Sequence, residues 1–252
     1  MNGSISKWKG MARMSLRGRF MTAMLATIAV PLMNILAGTL AGTLFPGSDL
    51  LSIILGEVFS FAITLVMCIF SVGMCRMLLR MARREEYSYG DLLYYFRNQP
   101  DRVIAASLVM ALIAWVTSLP SVIYDYVTVT PAVTEELEHV TSAGVISEAF
   151  LKTQMIFLLL NLAGLVLNII LTIPFAMTYY ILVDDEEIGG LDAVRQSYRM
   201  MKGRFGKYIL LQLSFIPWML LVAVTYFLVM LWVVPYMEMT NVMFYRELRG
   251  EI

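Results

Sequence analysis

Long apolar runs separated by short polar ones set the pattern of this chain. The first runs from about residue 20 to 44 and stops at Phe45-Pro46-Gly47-Ser48-Asp49, a helix breaker followed by a turn-forming glycine. Further runs cover about 50–79, 103–123 and 155–183. A bilayer-spanning helix takes roughly 20 mostly apolar residues, so each run reads as one span. The last stretch, 208–245, allows two readings. No residue from Tyr208 to Val234 is charged, so one long tilted helix fits. A turn near Thr225–Met230 would instead give two spans, about 208–225 and 228–245. Between the spans lie a basic amphipathic segment (1–19), cytoplasmic connectors (80–102 and 184–207) and an extracytoplasmic loop (125–153). In that loop Thr130-Pro131 reads as an N-cap and first helical position, predicting a short helix from Pro131 to about Phe150. The fold class is all-α: a single integral membrane domain over 1–252, a polytopic transmembrane bundle of about six spans with interfacial amphipathic helices on the cytoplasmic side.

Composition sharpens this picture. Hydrophobic residues make up 59% of the chain and charged ones 15%, against about 45–50% and about 25% in soluble domains. That excludes a disordered chain and a nucleic-acid binder, and argues against a soluble enzyme. The net charge is zero, but the charges are sorted. Basic residues fill the N-terminus (Lys7, Lys9, Arg13, Arg17, Arg19), the 80–102 region and the 184–207 connector, while the other loops carry Lys152 alone against several acids. By the positive-inside rule the N-terminus is cytoplasmic, and six spans return the C-terminus there, in a bacterial plasma membrane. The first apolar run is too long for a cleavable signal core of about 7–15 residues. Cys68 and Cys75 lie seven apart on one helix, about 10 Å along its axis, too far to pair. His139 is the single histidine, so no metal site or cofactor is expected.

The basic segments are patterned at helical spacing. Ile5, Trp8, Met11 or Ala12, Leu16 and Phe20 form one stripe, with Lys9, Arg13 and Arg17 on another. Leu191, Val194, Tyr198, Met201 and Phe205 repeat it, with Arg195, Arg199 and Lys202 beside them. Such helices suit the membrane interface, apolar side toward the acyl boundary and Arg17, Arg19, Arg195, Arg199, Lys202 and Arg204 toward anionic lipid headgroups. Both end alike, in Arg17-Gly18-Arg19-Phe20 and Lys202-Gly203-Arg204-Phe205, where the glycine can redirect the chain into a span. Phe96-Arg97-Asn98 is a looser third copy, so a threefold repeat stands beside the plainer reading of three unrelated interfacial helices.

Candidate chemistry is sparse. No HExxH, GxSxG, Walker loop or CxxC is present. Glu57 lies inside the second span, and an intramembrane carboxylate is a functional candidate for a proton or cation. Asn34, Asn161 and Asn168 are its candidate partners. The alternative is that Glu57 reaches water near the outer end and the amides bond across helices. Pro31, Pro120, Pro174, Pro217 and Pro235 could break helices as transporters do, or kink them for packing. Asp184-Asp185-Glu186-Glu187 lacks the spacing of a calcium loop and reads as a solvated face.

A resemblance appears at the C-terminus. Ser197-Tyr198-Arg199-Met200-Met201-Lys202-Gly203, then Ser214-Phe215-Ile216-Pro217-Trp218, Leu231-Trp232, Pro235-Tyr236 and Phe244-Tyr245 resemble the signature of domain-of-unknown-function family 975, uncharacterised bacterial multi-pass membrane proteins. Lys9–Arg19 and Gly73–Phe96 resemble that family's N-terminal segment and its loop after the second span. The chain departs from the pattern at Pro217 and at Tyr226–Met230, where the family has glycine. The resemblance implies six spans and a C-terminal hairpin; the family has no established activity, so it brings an architecture and no mechanism. The expected role is therefore non-enzymatic, through contacts with lipid or protein partners; a small-solute or ion transporter, or an accessory subunit of an enzyme or export system, are the alternatives. A topology reporter fused near Val140 should be active only outside the cytoplasm; activity confined to the cytoplasm would reverse the orientation.

Overall fold

The computed structural model describes residues 5–46, 50–143, 146–225 and 229–252, and the side chains of Asn34 and His139 lie outside the described residues. The described residues are helical, with no strand among them. Among the described residues five segments are long and apolar enough to cross a membrane: Phe20–Leu44, Leu50–Arg83, Pro100–Leu137, Glu148–Asp184 and Phe205–Val222. The protein is a transmembrane helix bundle. Helix α7 (Glu148–Thr172) shows why. None of its residues is buried, and Leu158, Leu159, Leu167 and Ile170 are exposed over a broad face. Water would not tolerate that surface, whereas hydrocarbon would. The contacts form two compact units, Met1–Thr39 with Ala62–Leu108 and Ile173–Ile252, and Leu40–Phe61 with Val109–Thr172. Every Lys and Arg except Lys152 belongs to the first.

In the first unit, α1 (Ile5–Leu16) precedes α2 (Phe20–Leu44), and α3 (Leu50–Arg83) ends in the basic cluster. A short 3-10 turn leads into α4 (Tyr94–Arg97), and α5 starts at Pro100 and runs to Tyr124. Beyond Pro174 come α8 (Thr178–Asp184), α9 (Gly190–Met201), α10 (Phe205–Leu213), α11 (Ile216–Val224) and α12 (Met230–Leu248). The last stretch is a pair of antiparallel limbs, not one long helix. Tyr208 packs on Phe244, Gln212 bonds Asn241 at 2.9 Å, and Phe215 meets Tyr236 edge-on. Contacts climb one limb as they descend the other. Helix α12 is not among the five apolar segments; its 19 residues include Glu238, Arg246 and Glu247.

The redirecting turns have a definite geometry. Gly18 and Gly203 sit at φ +76° and +79°. The Arg19 N–H bonds the Leu16 carbonyl at 3.0 Å, and the Arg204 N–H bonds that of Met201 at 2.8 Å. Nothing lies within 4 Å of a Cβ at either glycine, so backbone angle rather than space requires glycine there. Gln99, φ +53°, holds the corresponding position before α5.

The apolar stripe of α1 faces protein, and that of α9 does so only in part. Trp8, Ala12 and Leu16 of α1 are buried, and Trp8 packs edge-on against Phe244 of α12, its indole N–H donating to Glu247 at 2.7 Å. On α9 the buried side is Gly190, Ala193, Val194, Ser197 and Met201, while Leu191 and Tyr198 are exposed. The stripe read from sequence is therefore rotated. Small residues took the inward side because the helices approach closely: a Cβ on Gly190 would lie 2.2 Å from the Arg102 carbonyl oxygen.

That close approach delivers Ser197 to a broken helix. Proline cannot donate a backbone hydrogen bond and clashes with the preceding turn, and between α7 and α8 the chain leaves the α-helix at Ile173–Phe175. The Met177 N–H donates to Ser197 Oγ at 3.1 Å, and the Ser197 hydroxyl donates to the Pro174 carbonyl at 3.1 Å. A second break, Ser214–Phe215, separates α10 from α11. Here Lys9 Nζ donates to the Ser214 carbonyl at 3.0 Å and stands 4.2 Å over the Phe215 ring. Burial, with Arg13 adding to it, holds Lys9 below the ordinary lysine range.

In the second unit the predicted loop 125–153 is largely helix. Helix α5 passes through a π-helical turn, Asp125–Val129, straight into α6 (Thr130–Ala143). Thr130 is thus no N-cap; its N–H bonds the Asp125 carbonyl. The wider turn accommodates Pro131 without ending the helix. The helix expected to reach Phe150 stops at Ala143, and α7 begins at Glu148. Glu136 joins the two by accepting the Ser147 N–H at 2.7 Å and the Ser147 hydroxyl.

Ser197→Ala should destabilise the protein by about 1–3 kcal/mol, the cost of a buried backbone group left unpaired. Unfolding in mild detergent measures it, and a neutral substitution would remove Ser197 from this role.

Candidate functional site

A cavity of about 580 Å³ lies within the second unit. Its walls come from the end of α2, the start of α3, the α5–α6 junction and α7. Glu57 and Asp125 supply two carboxyl groups, and Ser52, Ser60, Ser121, Tyr126, Thr130 and Asn161 supply neutral polar ones. Phe45, Ile53, Val122 and Phe157 make the apolar remainder. The π-helical turn matters here because the extra residue it inserts sets the facing of Asp125 and Tyr126. Asn161 donates its amide to the Phe157 carbonyl at 2.8 Å, which leaves its own oxygen as an acceptor. Among the described residues neither Glu57 nor Asp125 is ion-paired, and no lysine, arginine or histidine lines the cavity. Such a chamber attracts cations and repels anions.

The structure separates the four residues expected around Glu57. Asn161 joins it at the cavity. Asn168 does not: its amide donates to Thr117 Oγ1 at 3.2 Å, a bond between helices that approach so closely that a Cβ on Gly164 would lie 2.7 Å from the Thr117 carbonyl oxygen. The Asn34 side chain lies outside the described residues. Asp125 is the partner that sequence reading missed. It stood in a stretch taken for a loop, and only helical continuity brings it level with α3 and α7.

The basic end of the first unit is built differently. The acidic run is a solvated face only in part: Asp185, Glu186 and Glu187 are exposed, whereas the Asp184 carboxyl is enclosed. Asp184 accepts a two-point bond from Arg83, at 2.6 and 3.0 Å, and the Tyr245 hydroxyl at 2.7 Å, with Arg249 at 3.5 Å. Asp185 turns the chain by accepting the Glu187 and Ile188 amides. Glu186 meets Arg76 at 3.3 Å. Arg102 binds the carbonyls of Asp185 and Ile188, both at 2.6 Å, and that of Glu186. Asp91, buried, takes Arg76 at 3.2 Å and Arg80 at 3.1 Å. Glu251 at the C-terminus bonds Arg83, and Arg246 at 2.8 Å. These arginines are committed to protein. Of the residues expected to face lipid, Arg17, Arg195, Arg199 and Lys202 are exposed, with Arg195 also near Asp192 at 3.1 Å. Arg204 is half-buried. Arg19 turns inward to the Met81 carbonyl and the Tyr87 ring.

The profile of a family of proteins of unknown function, DUF975, matches residues 1–251. The chain belongs to DUF975. No curated protein and no solved structure matches it. The residues that carried the DUF975 resemblance have structural roles at the C-terminal limbs. Gly203 makes the left-handed turn. Ser214 and Phe215 form the break that Lys9 covers. Pro235 is buried, and Tyr236 accepts the Arg13 guanidinium at 3.2 Å. Tyr245 holds Asp184 and stacks on Tyr180. Trp218 and Trp232 are exposed, as an aromatic residue facing lipid would be.

Burial alone would raise the Glu251 carboxyl, but the bonds from Arg83 and Arg246 outweigh it and hold the group below the usual carboxylate range. Its stabilising effect is therefore complete above the ordinary glutamate value of about 4.3 and fades as pH falls through the depressed one. Glu251→Gln should lower the unfolding temperature near neutrality and leave it unchanged at strongly acid pH. An equal loss at both would show that charge is not what secures the C-terminus.

Proposed function

We propose that this member of DUF975 is a non-enzymatic protein of the bacterial plasma membrane whose acidic cavity binds a small cationic solute. The observation that supports this reading is that Glu57 and Asp125 both line a chamber of about 580 Å³ on whose walls, among the described residues, no lysine, arginine or histidine stands. Two carboxylates and several hydroxyl oxygens suit a singly charged organic or alkali cation. Among the described residues no group of three metal-ligating side chains is present to hold a transition metal. With the sorted lysines and arginines read by the positive-inside rule, the cavity opens in the extracytoplasmic half, and both termini face the cytoplasm. Binding there would be the first step of transport or sensing.

A second reading rests on α9. Its exposed side combines Arg195, Arg199 and Lys202 with Leu191 and Tyr198, a composition that suits anionic lipid headgroups and the acyl boundary below them.

One experiment separates the two. The full chain is reconstituted in vesicles with and without anionic lipid, and binding of a panel of alkali and organic ammonium cations is measured calorimetrically. The cavity reading expects saturable binding, weakened at least about tenfold, 1.4 kcal/mol, by Glu57→Gln with Asp125→Asn, in both lipids. Cation binding that ignores both substitutions would sink it. Anionic lipid that stays bound to the chain in mild detergent and is lost on Arg195→Ala with Arg199→Ala would favour α9.

A further inference from the structure

The polar walls of the acidic chamber are richer in acceptors than in donors. A carboxylate only accepts hydrogen bonds, and Glu57 and Asp125 supply two of them. Ser121, buried, spends its hydroxyl proton on the Ser118 carbonyl at 2.8 Å. Asn161 spends an amide proton on the Phe157 carbonyl at 2.8 Å. Each keeps an oxygen that can accept. A protonated primary amine brings three N–H donors and no acceptor, as a lysine head does, whereas a quaternary ammonium brings no donor at all.

The apolar walls are aromatic in part, and one ring is fixed beside an acid. Phe45, just past the end of α2, packs against α3: a Cβ on Gly56, the residue before Glu57, would lie 3.8 Å from the Phe45 Cβ. The Phe45 ring rests on that of Phe59 with 5.7 Å between centroids. Phe157 lines the chamber from α7. Aromatic faces attract cations and cover apolar bodies. The volume of about 580 Å³ falls within the range of about 300–1,000 Å³ usual for small organic ligands. A bare metal cation takes a close shell of oxygens and would leave most of such a space unfilled.

We propose, resting on the cavity reading above, that the chamber takes a protonated primary amine carried on an aromatic or other apolar body. The ammonium group meets the carboxylates of Glu57 and Asp125 and the oxygens of Ser121 and Asn161. The body lies against Phe45 and Phe157. Preference over a quaternary ammonium comes from the N–H donors, and preference over potassium or methylammonium comes from the body.

Calorimetric titration of the full native chain in neutral-lipid vesicles tests this with benzylammonium, benzyltrimethylammonium, methylammonium and potassium. Protein-free vesicles supply the partitioning background. Benzylammonium should bind saturably and at least about tenfold more tightly than each of the others, the worth of a charge-assisted hydrogen bond or a packed ring. Phe45→Ala should weaken benzylammonium and leave methylammonium unchanged. Any of the other three probes binding as tightly as benzylammonium would overturn the proposal, as would benzylammonium binding indifferent to Phe45→Ala. Potassium binding that depends on Glu57 and Asp125, with none of benzylammonium, would overturn it and leave the cavity reading standing. No saturable binding of any probe would remove both. The native series decides even if Phe45→Ala does not fold.

Discussion

A backbone N–H or C=O left unpaired away from water costs more than a lost side-chain contact, and hydrocarbon offers no replacement partner. That constraint organises this bundle. Its helices are interrupted, and each interruption frees polar groups that must be met from somewhere. At Pro174 they are met by Ser197 of α9. At Ser214 the carbonyl is met by Lys9 of α1. Both donors stand on amphipathic helices with one side turned to protein. The two amphipathic helices therefore act as clamps on broken spans, which accounts for the burial of one side of each.

Charge follows the same economy. Arginines at the end of α3 could have remained a solvated cluster, but Asp91, Asp184, Glu186 and Glu251 engage them. Ion pairs of this kind gain little when fully exposed. They gain more when one partner is enclosed, as Asp91 and Asp184 are, because a solitary charge there would be far worse. The result is a fastening that ties α3, α8 and the C-terminus together. By contrast, among the described residues Glu57 and Asp125 enter no ion pair. A chain that pairs its acids carefully elsewhere leaves these groups uncompensated, which is the reason to read them as sites.

Much of this was legible in the sequence. Apolar run length locates spans because hydrocarbon thickness fixes it, and Gly18 and Gly203 announce their turns because few other residues accept a left-handed backbone. The α10–α12 limbs were left open for a physical reason: nothing around Thr225–Met230 is a conventional breaker, and only the matched contacts Tyr208–Phe244 and Phe215–Tyr236 decide for a return. The loop 125–153 was misread because Thr-Pro is a strong N-cap signal, whereas a π-helical turn has no sequence signature and lets a helix run past proline. The α9 face was misread because hydrophobicity named Leu191 and Tyr198, while close packing selected Gly190, Ala193 and Ser197. In the cavity, Glu57 stood out as a charge inside an apolar run. Asp125 did not, since a carboxylate in a presumed loop is unremarked until the fold places it.

The central claim is that Ser197 seals the break at Pro174. Amide hydrogen exchange of the native protein in mild detergent, resolved at Met177, tests it most directly. The account predicts exchange as slow as that of the helical amides that follow in α8. Exchange as fast as that of a solvent-exposed turn would contradict it.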